Sequence, residues 1–121
     1  MKFGIELGFQ LPRPWSQESE VELYESRLKI AALADQLGFD SLWVEEHHFL
    51  EEYCHLSSPE VFLAACTQRT NQIRLGFGVM LLPPMINNPV RSAEKVAALD
   101  LLAKGRVEFG VGSSSDRLGT T

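Results

Sequence analysis

The chain has 121 residues, of which 45% are hydrophobic and 22% charged, and its formal net charge is −5. Length and composition are ordinary for one soluble globular domain. An acidic chain without a basic cluster argues against a nucleic-acid partner, because such binding depends on Lys and Arg at phosphates. The sequence contains no run of about eighteen apolar residues and no signal-peptide core, so no membrane association is expected. Two cysteines, Cys54 and Cys66, do not make a disulfide framework, which favours a cytoplasmic location.

The first two predicted elements are a strand and a long helix. Over residues 2–10, apolar residues alternate with glycine and polar residues, which is the period of a strand. A helix is predicted from about residue 18 to residue 37, with Ser16 or Ser19 as its cap and Gly38 ending it. The expected inward stripe of this helix consists of Val21, Tyr24, Leu28, Ile30, Leu33, Ala34 and Leu37.

Strands and helices continue to alternate along the rest of the chain. Strands are predicted over 41–46, 74–82 and 106–112, and helices from 59 to about 70 and from 89 to about 104. Each of the two helices begins with a capping residue followed by proline, in Ser58-Pro59 and Asn88-Pro89. One side of the first should carry Phe62, Ala65, Cys66 and Arg69, and the inward face of the second Ala93, Val96, Ala97 and Leu101. Residues 113–121 are predicted to be a polar loop.

The predicted order is β-α-β-α-β-α-β, which indicates an α/β fold. Strands that alternate with helices imply right-handed crossovers and a parallel sheet. Two architectures remain open at this point, a doubly wound sheet and part of a (β/α)8 barrel.

One face of the predicted sheet, called the small face below, carries few large apolar side chains. Strands one, three and four alternate apolar residues with glycine or glutamate, whereas a packed barrel interior is filled with large aliphatic residues. Glycine within a strand often marks the close approach of a ligand or of another backbone. The small face therefore either leaves room for a flat ligand or is filled by large residues from strands that are not part of this chain. Glu6 points to this face and needs a partner if it is buried.

Polar side chains gather where the strands end. In both candidate architectures the active site lies at the carboxyl ends of the strands, which brings Glu46, His47 and His48 to one rim. The histidines could act as a general base, as hydrogen-bond donors or as metal ligands, although one metal bound by both is not expected. His55 is interpreted as a loop histidine. The amides and hydroxyls over residues 110–115 form a weak candidate for a phosphate site.

Four segments of the chain resemble, in the same order, segments of the bacterial luciferase-like flavin-dependent monooxygenases. They are residues 38–49 (GFDSLWVEEHHF), 73–76 (IRLG), 89–91 (PVR) and 99–112 (LDLLAKGRVEFGVG). The resemblance implies a TIM (β/α)8 barrel, of which this chain would form the first half. It also implies reduced FMN, or alternatively the deazaflavin coenzyme F420, and the use of O2 to oxidise a small organic substrate such as an aldehyde. A separate flavin reductase and assembly as a homo-oligomer are expected as partners.

The resemblance assigns roles to individual residues. His47 matches the active-site histidine that assists proton transfer, and His48 is expected to share the catalytic role. Gly78-Val79 matches a non-prolyl cis peptide under the flavin ring. The implied cofactor contacts are Glu46, Gly78, Val79, Gly112 and Ser113.

The chain also departs from the family pattern. Gly112 stands where luciferase has a reactive cysteine, and Ser113 stands where luciferase has an arginine at the flavin phosphate. Family members are roughly three times as long as this chain, and a barrel needs eight strands. Three interpretations follow: an N-terminal fragment of a longer monooxygenase, which is favoured, a half barrel that pairs with a second copy, or a non-catalytic flavin-binding or interaction module.

Overall fold

The computed structural model describes residues 1–113, so the loop predicted over 113–121 lies outside them except for Ser113. Four strands and three helices alternate within this part of the chain. They are β1 (Gly4–Leu7), α1 (Ser19–Gln36), β2 (Ser41–Val44), α2 (Pro59–Thr67), β3 (Arg74–Leu81), α3 (Pro89–Leu102) and β4 (Val107–Gly112). Every predicted element is present, and the observed bounds differ from the predicted bounds only at the element ends.

The strands form one parallel sheet in the order β1-β2-β3-β4. A doubly wound sheet reverses its strand order at a switch point, whereas here each strand lies beside the previous one throughout. This sequential order is that of the first half of a (β/α)8 barrel. The predicted fold class is therefore confirmed, and the doubly wound alternative is excluded.

The hydrophobic core lies between the three helices and one face of the sheet. Phe9 extends the line of β1 and contacts the ring of Phe62 from α2 edge to face, with ring centroids 4.9 Å apart. The largest fully buried side chains are Phe9, Phe62, Phe77, Leu42, Leu56, Leu63, Ile73, Leu75 and Met80. Burying a side chain of this size contributes about 1.5–3 kcal/mol, so this face anchors the sheet.

The predicted inward stripes of α1 and α3 are partly wrong. In α1 the buried residues are Leu23, Leu28, Ala31 and Ala34, while Val21, Ile30, Leu33 and Leu37 are exposed. In α3 the buried residues are Ser92 and Leu99, while Ala93, Ala97 and Leu101 are exposed. Both helices carry apolar residues on more than one side, and the sheet covers only one of them. On the predicted side of α2, Phe62 and Cys66 are buried and Ala65 is half-buried, and Arg69, just beyond the end of the helix, is exposed.

Local signals at the helix ends are confirmed in part. The Asn88 side chain caps α3 by accepting from the backbone N–H groups of Val90 and Arg91, at 3.0 and 3.3 Å. Ser58 occupies the cap position of α2, but its side chain makes no capping bond. The cap position of α1 is Glu18, and Ser16 accepts the Glu18 N–H just before the helix.

Asp35 near the end of α1 fixes the start of β3. Its carboxylate accepts from the backbone N–H groups of residues 71, 72 and 73, at 2.8, 2.9 and 2.7 Å. Burial raises the pKa of Asp35, but these three donors and the Arg106 guanidinium outweigh it, so the pKa lies below its ordinary value. The strand that carries Gly78 and Val79 is therefore held at its N-terminal end by a charged cap.

Trp43 fills much of the glycine face at the middle of the sheet. Its indole ring lies against Gly76, so that a Cβ added at Gly76 would overlap the ring. Its ring N–H donates to the Ser41 hydroxyl at 3.0 Å, which fixes the ring orientation. Neither of the two alternatives for the small face applies at Gly76, because a side chain from the neighbouring strand of this chain fills the space. Two residues further along β3, on the same face, Gly78 is exposed.

Candidate active site

The carboxyl ends of the strands bring the predicted rim residues together. After Val44 the chain leaves β2, and Glu46, His47 and His48 follow at its end. The backbone N–H of His47 donates to the Leu56 carbonyl at 3.1 Å, which holds the rim against the loop that leads to α2. The two histidines differ in their partners, since His47 lies beside Glu45 and His48 beside Glu46.

Glu46 is a buried carboxylate, 3% exposed, with three donors. It accepts from the Leu81 N–H at 2.9 Å, from the Asn87 amide at 2.8 Å and from the His48 Nε2 at 2.8 Å. Full pairing is what a carboxylate needs when it leaves water. Both oxygens of Glu46 already accept hydrogen bonds from within the protein. The predicted contact of Glu46 with a cofactor stays a prediction.

His47 lies in a separate cluster with Glu45 and Tyr53. Its Nε2 is 3.2 Å from Glu45 Oε2, and its ring meets the Tyr53 ring edge to face with centroids 5.2 Å apart. The second carboxylate oxygen of Glu45, Oε1, is buried, and the Cys54 thiol lies within hydrogen-bonding range of this carboxylate.

The inner face beside β3 offers a flat surface. The Gly78–Val79 peptide is cis, as expected from the resemblance. A Cβ at Gly78 would meet the Trp43 side chain only at ordinary contact distance, the nearest atom being 3.5 Å away, so space is open next to this glycine. An open space of about 420 Å³ is lined here by Glu6, Trp43, Gly78 and residues of β1 and β2.

A second pocket, about 320 Å³ in volume, lies at the rim. His47 and His48 line it together with Trp15, Glu20 and His55. His55 Nδ1 is 2.8 Å from a Glu20 carboxylate oxygen, and its ring lies edge-on to Trp15 at 5.2 Å between centroids. His55 is a loop histidine, as predicted, but its contact with Glu20 was not predicted, since no spacing rule connects positions 35 residues apart.

The end of β4 completes the rim. The Gly112 carbonyl accepts from the Leu82 N–H at 3.1 Å, and a Cβ at Gly112 would lie 2.9 Å from Val79 Cγ2. Gly112 and Val79, both expected to contact the cofactor, are thus close neighbours. Ser113 is exposed, while Ser114 and Ser115 of the predicted phosphate segment lie outside the described residues. Phosphate binding by this segment stays a prediction.

Thiol and metal chemistry are not indicated in the described part of the chain. Burial, with a smaller contribution from the Glu45 carboxylate, raises the pKa of Cys54 to about 12, and burial raises the pKa of Cys66 to about 12. Both thiols are therefore inert at neutral pH. Residues 1–113 contain no cluster of three or more His, Cys, Asp or Glu side chains arranged to hold a metal ion, and none of their helices is long and apolar enough to cross a membrane.

Comparison with known proteins identifies relatives of this chain. The family profile described as luciferase-like monooxygenase matches residues 1–118. The chain is 39% identical over 102 residues to 4-hydroxyprotoasukamycin monooxygenase of Streptomyces nodosus subsp. asukaensis, covering 84% of this chain and 26% of that protein. It is 35% identical over 111 residues to the alkanal monooxygenase alpha chain of Photorhabdus laumondii subsp. laumondii, covering 92% of this chain and 29% of that protein.

Solved structures share the same half barrel. Monooxygenase RslO1 from Streptomyces bottropensis matches with a TM-score of 0.83 and 38% identity, covering 94% of this chain and 33% of that one. The fold alone is shared with the oxygenating constituent of 3,6-diketocamphane monooxygenase from Pseudomonas putida in complex with FMN, at a TM-score of 0.86, 24% identity and coverage of 98% and 31%. It is shared likewise with the coenzyme F420-dependent tetrahydromethanopterin reductase of Methanopyrus kandleri, at a TM-score of 0.71, 24% identity and coverage of 98% and 28%.

The length of the match is as informative as its identity. The chain spans between about a quarter and a third of the proteins it matches, as the 26%, 29% and 33% coverage values state. Fold, motif order and sequence identity nevertheless agree across almost the whole chain. The chain belongs to the luciferase-like monooxygenase family.

Proposed function

We propose that this chain provides the flavin-binding floor and the proton-handling rim of a monooxygenase that uses reduced FMN and O2 to oxidise a small organic substrate such as an aldehyde. The observation that carries the proposal is the pairing of an open glycine surface at Gly78 with a histidine pair at the adjacent strand end. The match to an alkanal monooxygenase alpha chain supports the aldehyde as the substrate class.

The residues at the inner face fit a flavin. A planar ring needs a surface without side chains, which the backbone around Gly78 offers, and apolar contact at its edge, which Trp43 and Val79 offer. When bound, reduced flavin supplies the electrons that activate O2.

The histidines are suited to moving protons at neutral pH. Each has a carboxylate within hydrogen-bond distance of its Nε2, Glu45 for His47 and Glu46 for His48. A carboxylate only accepts hydrogen bonds, so Nε2 carries the proton in the neutral ring and the carboxylate stabilises the charged ring. His47 and His48 therefore accept and return a proton beside the substrate, while the carboxylates orient them.

Several finer parts of the proposal concern partners. A fold neighbour described as coenzyme F420-dependent keeps that deazaflavin as the alternative cofactor. Reduced FMN would come from a separate flavin reductase, and the complete enzyme would be a cytoplasmic homo-oligomer. The non-catalytic and self-pairing alternatives are not favoured, because the relatives are named as monooxygenases.

An FMN titration tests the proposal on the 121-residue chain. Saturable quenching of flavin fluorescence is expected, and Gly78→Val should weaken binding by at least about tenfold, because overfilling a packed site typically costs 1–3 kcal/mol. Ala93→Val introduces the same side chain on the exposed side of α3 and serves as the control. Absence of saturable binding, or equal affinity in the two variants, would refute the flavin floor.

A further inference from the structure

The side chain of Asn87 occupies a junction between the rim residue Glu46 and the end of β3. It lies in the loop between β3 and α3, and its amide nitrogen donates both to Glu46 Oε1 at 2.8 Å and to the Leu81 carbonyl at 2.7 Å. Both partners are acceptors, which fixes the orientation of the amide and uses its two N–H groups. The Asn87 backbone N–H donates to the Pro83 carbonyl at 3.0 Å, so the residue is held from both sides.

Beyond the end of β2, two side chains make the hydrogen bonds to the backbone of β3 that a longer β2 would make. The last paired residue of β2 is Val44, opposite Phe77, whereas β3 continues to Leu81. The Leu81 N–H and C=O would therefore lack partners on that side. Glu46 Oε2 accepts the N–H at 2.9 Å, and the Asn87 amide donates to the C=O. The Glu46 carboxylate is consequently clamped between β3 and Asn87.

The clamped carboxylate determines which nitrogen of His48 carries the proton. Glu46 Oε1 is 2.8 Å from His48 Nε2, and a carboxylate can only accept, so the neutral ring is protonated at Nε2. The remaining nitrogen, Nδ1, then has a free lone pair. His48 Nδ1 has no hydrogen-bond partner among the described residues and is not one of their buried unpaired atoms, so it is open to solvent, and His48 lines the rim pocket.

We propose that Asn87 is a positioning residue for His48: by holding the Glu46 carboxylate, it keeps His48 in the Nε2–H tautomer and presents Nδ1 to the rim pocket as the proton acceptor. This inference deepens the proposed function and rests on it for the use of that proton. The tautomer itself requires no flavin, so it can be tested separately. Asparagine suits the junction because it supplies two donors without charge, whereas Asp would oppose a second carboxylate to Glu46.

Nitrogen-15 NMR of the imidazole groups in the flavin-free chain tests the inference, since it identifies which ring nitrogen bears the proton. The wild-type chain should show His48 as the Nε2–H tautomer at a pH where the ring is neutral. Asn87→Ala should speed exchange of the Nε2 proton by about tenfold, the scale of one lost hydrogen bond to a charged group, and should populate the Nδ1–H form. Asn71→Ala, which removes an exposed asparagine side chain, should change neither signal.

Two further variants keep the outcome decisive. Asn87→Ser retains one donor and should give an intermediate exchange rate if Asn87→Ala does not fold. Glu46→Gln should mix the tautomers, because an amide can both donate and accept. An Nδ1–H tautomer in the wild-type chain would overturn the inference. So would His48 signals in folded Asn87→Ala and Asn87→Ser that match those of Asn71→Ala. Loss of flavin binding with the tautomer result intact would instead count against the proposed function.

Discussion

The carboxylate of Asp35 offers a quantitative test of how the sheet is held in place. Its Oδ1 accepts from the N–H groups of Gln72 and Ile73, and its Oδ2 accepts from Asn71. The substitution Asp35→Asn keeps the shape but replaces one oxygen by an NH2 group. That group would face a backbone N–H, so at least one hydrogen bond is lost. The remaining hydrogen bonds no longer have a charged acceptor.

The expected loss of stability follows from these contacts. A hydrogen bond to a charged group contributes about 1.5–3 kcal/mol, and neutral ones about 1 kcal/mol. Asp35 is only half-buried, so water compensates part of the loss. We expect Asp35→Asn to lower the free energy of unfolding by about 2 kcal/mol, and the melting temperature by roughly 8 °C for a domain of this size.

The effect should depend on pH in a defined direction. The pKa of Asp35 is lowered in the folded chain, so the ionised carboxylate stabilises the fold above the ordinary carboxyl pKa of about 3.9. That contribution is lost as the pH falls through the lowered folded pKa. The stability difference between the wild type and Asp35→Asn should therefore be constant near neutrality and shrink in acid.

Urea denaturation followed by circular dichroism, at pH 7 and at pH 3, measures both quantities. Glu25→Gln removes the same charge from an exposed position of α1 and controls for net charge. Equal stability of Asp35→Asn and Glu25→Gln at pH 7 would refute the capping role. A difference that persists undiminished at low pH would refute the electrostatic part of it.

Three further outcomes are expected. Gly76→Ala should destabilise the chain by about 1–3 kcal/mol in urea, since its Cβ would overlap the Trp43 ring; unchanged stability would contradict the packing of the inner face. Cys54 and Cys66, with pKa values raised to about 12 by burial, should react with a thiol reagent at pH 8 only after denaturation, and rapid labelling of the native chain would contradict this. In an active monooxygenase that contains this chain, His47→Ala should slow oxygenation by roughly 10²–10⁴-fold with little change in FMN affinity, and the reverse pattern would exclude a general-base role.

The sequence predicted the order of elements because each signal was local. The Asn88 cap depends on residues two and three positions away, and Gly38 and Gly105 adopt the positive φ angles of 83° and 79° that a helix end favours. Such signals need no knowledge of the rest of the molecule. The helix faces were harder to predict, because α1 and α3 carry apolar residues on more than one side. Leu101 is 82% exposed although it fits a helical stripe.

The candidate site was predicted where motif and strand end coincide, and missed where contacts are long-range. Glu46, His47 and His48 were assigned to the rim because parallel strands share one functional end. Asn87 was not assigned, since its partner Glu46 lies 41 residues away and no pattern connects them. The role of Trp43 was missed for a related reason: the ring of one strand fills the glycine position of the next, which depends on strand register.

The central claim, that flavin lies on the inner face of the sheet, is tested most directly by tryptophan fluorescence. The chain has two tryptophans, Trp43 on the inner face and Trp15 at the rim. In Trp15→Phe, FMN should quench the Trp43 emission saturably, with the same dissociation constant that flavin fluorescence reports. Quenching confined to Trp15 in the complementary Trp43→Phe variant, or no saturable quenching of Trp43, would contradict the claim.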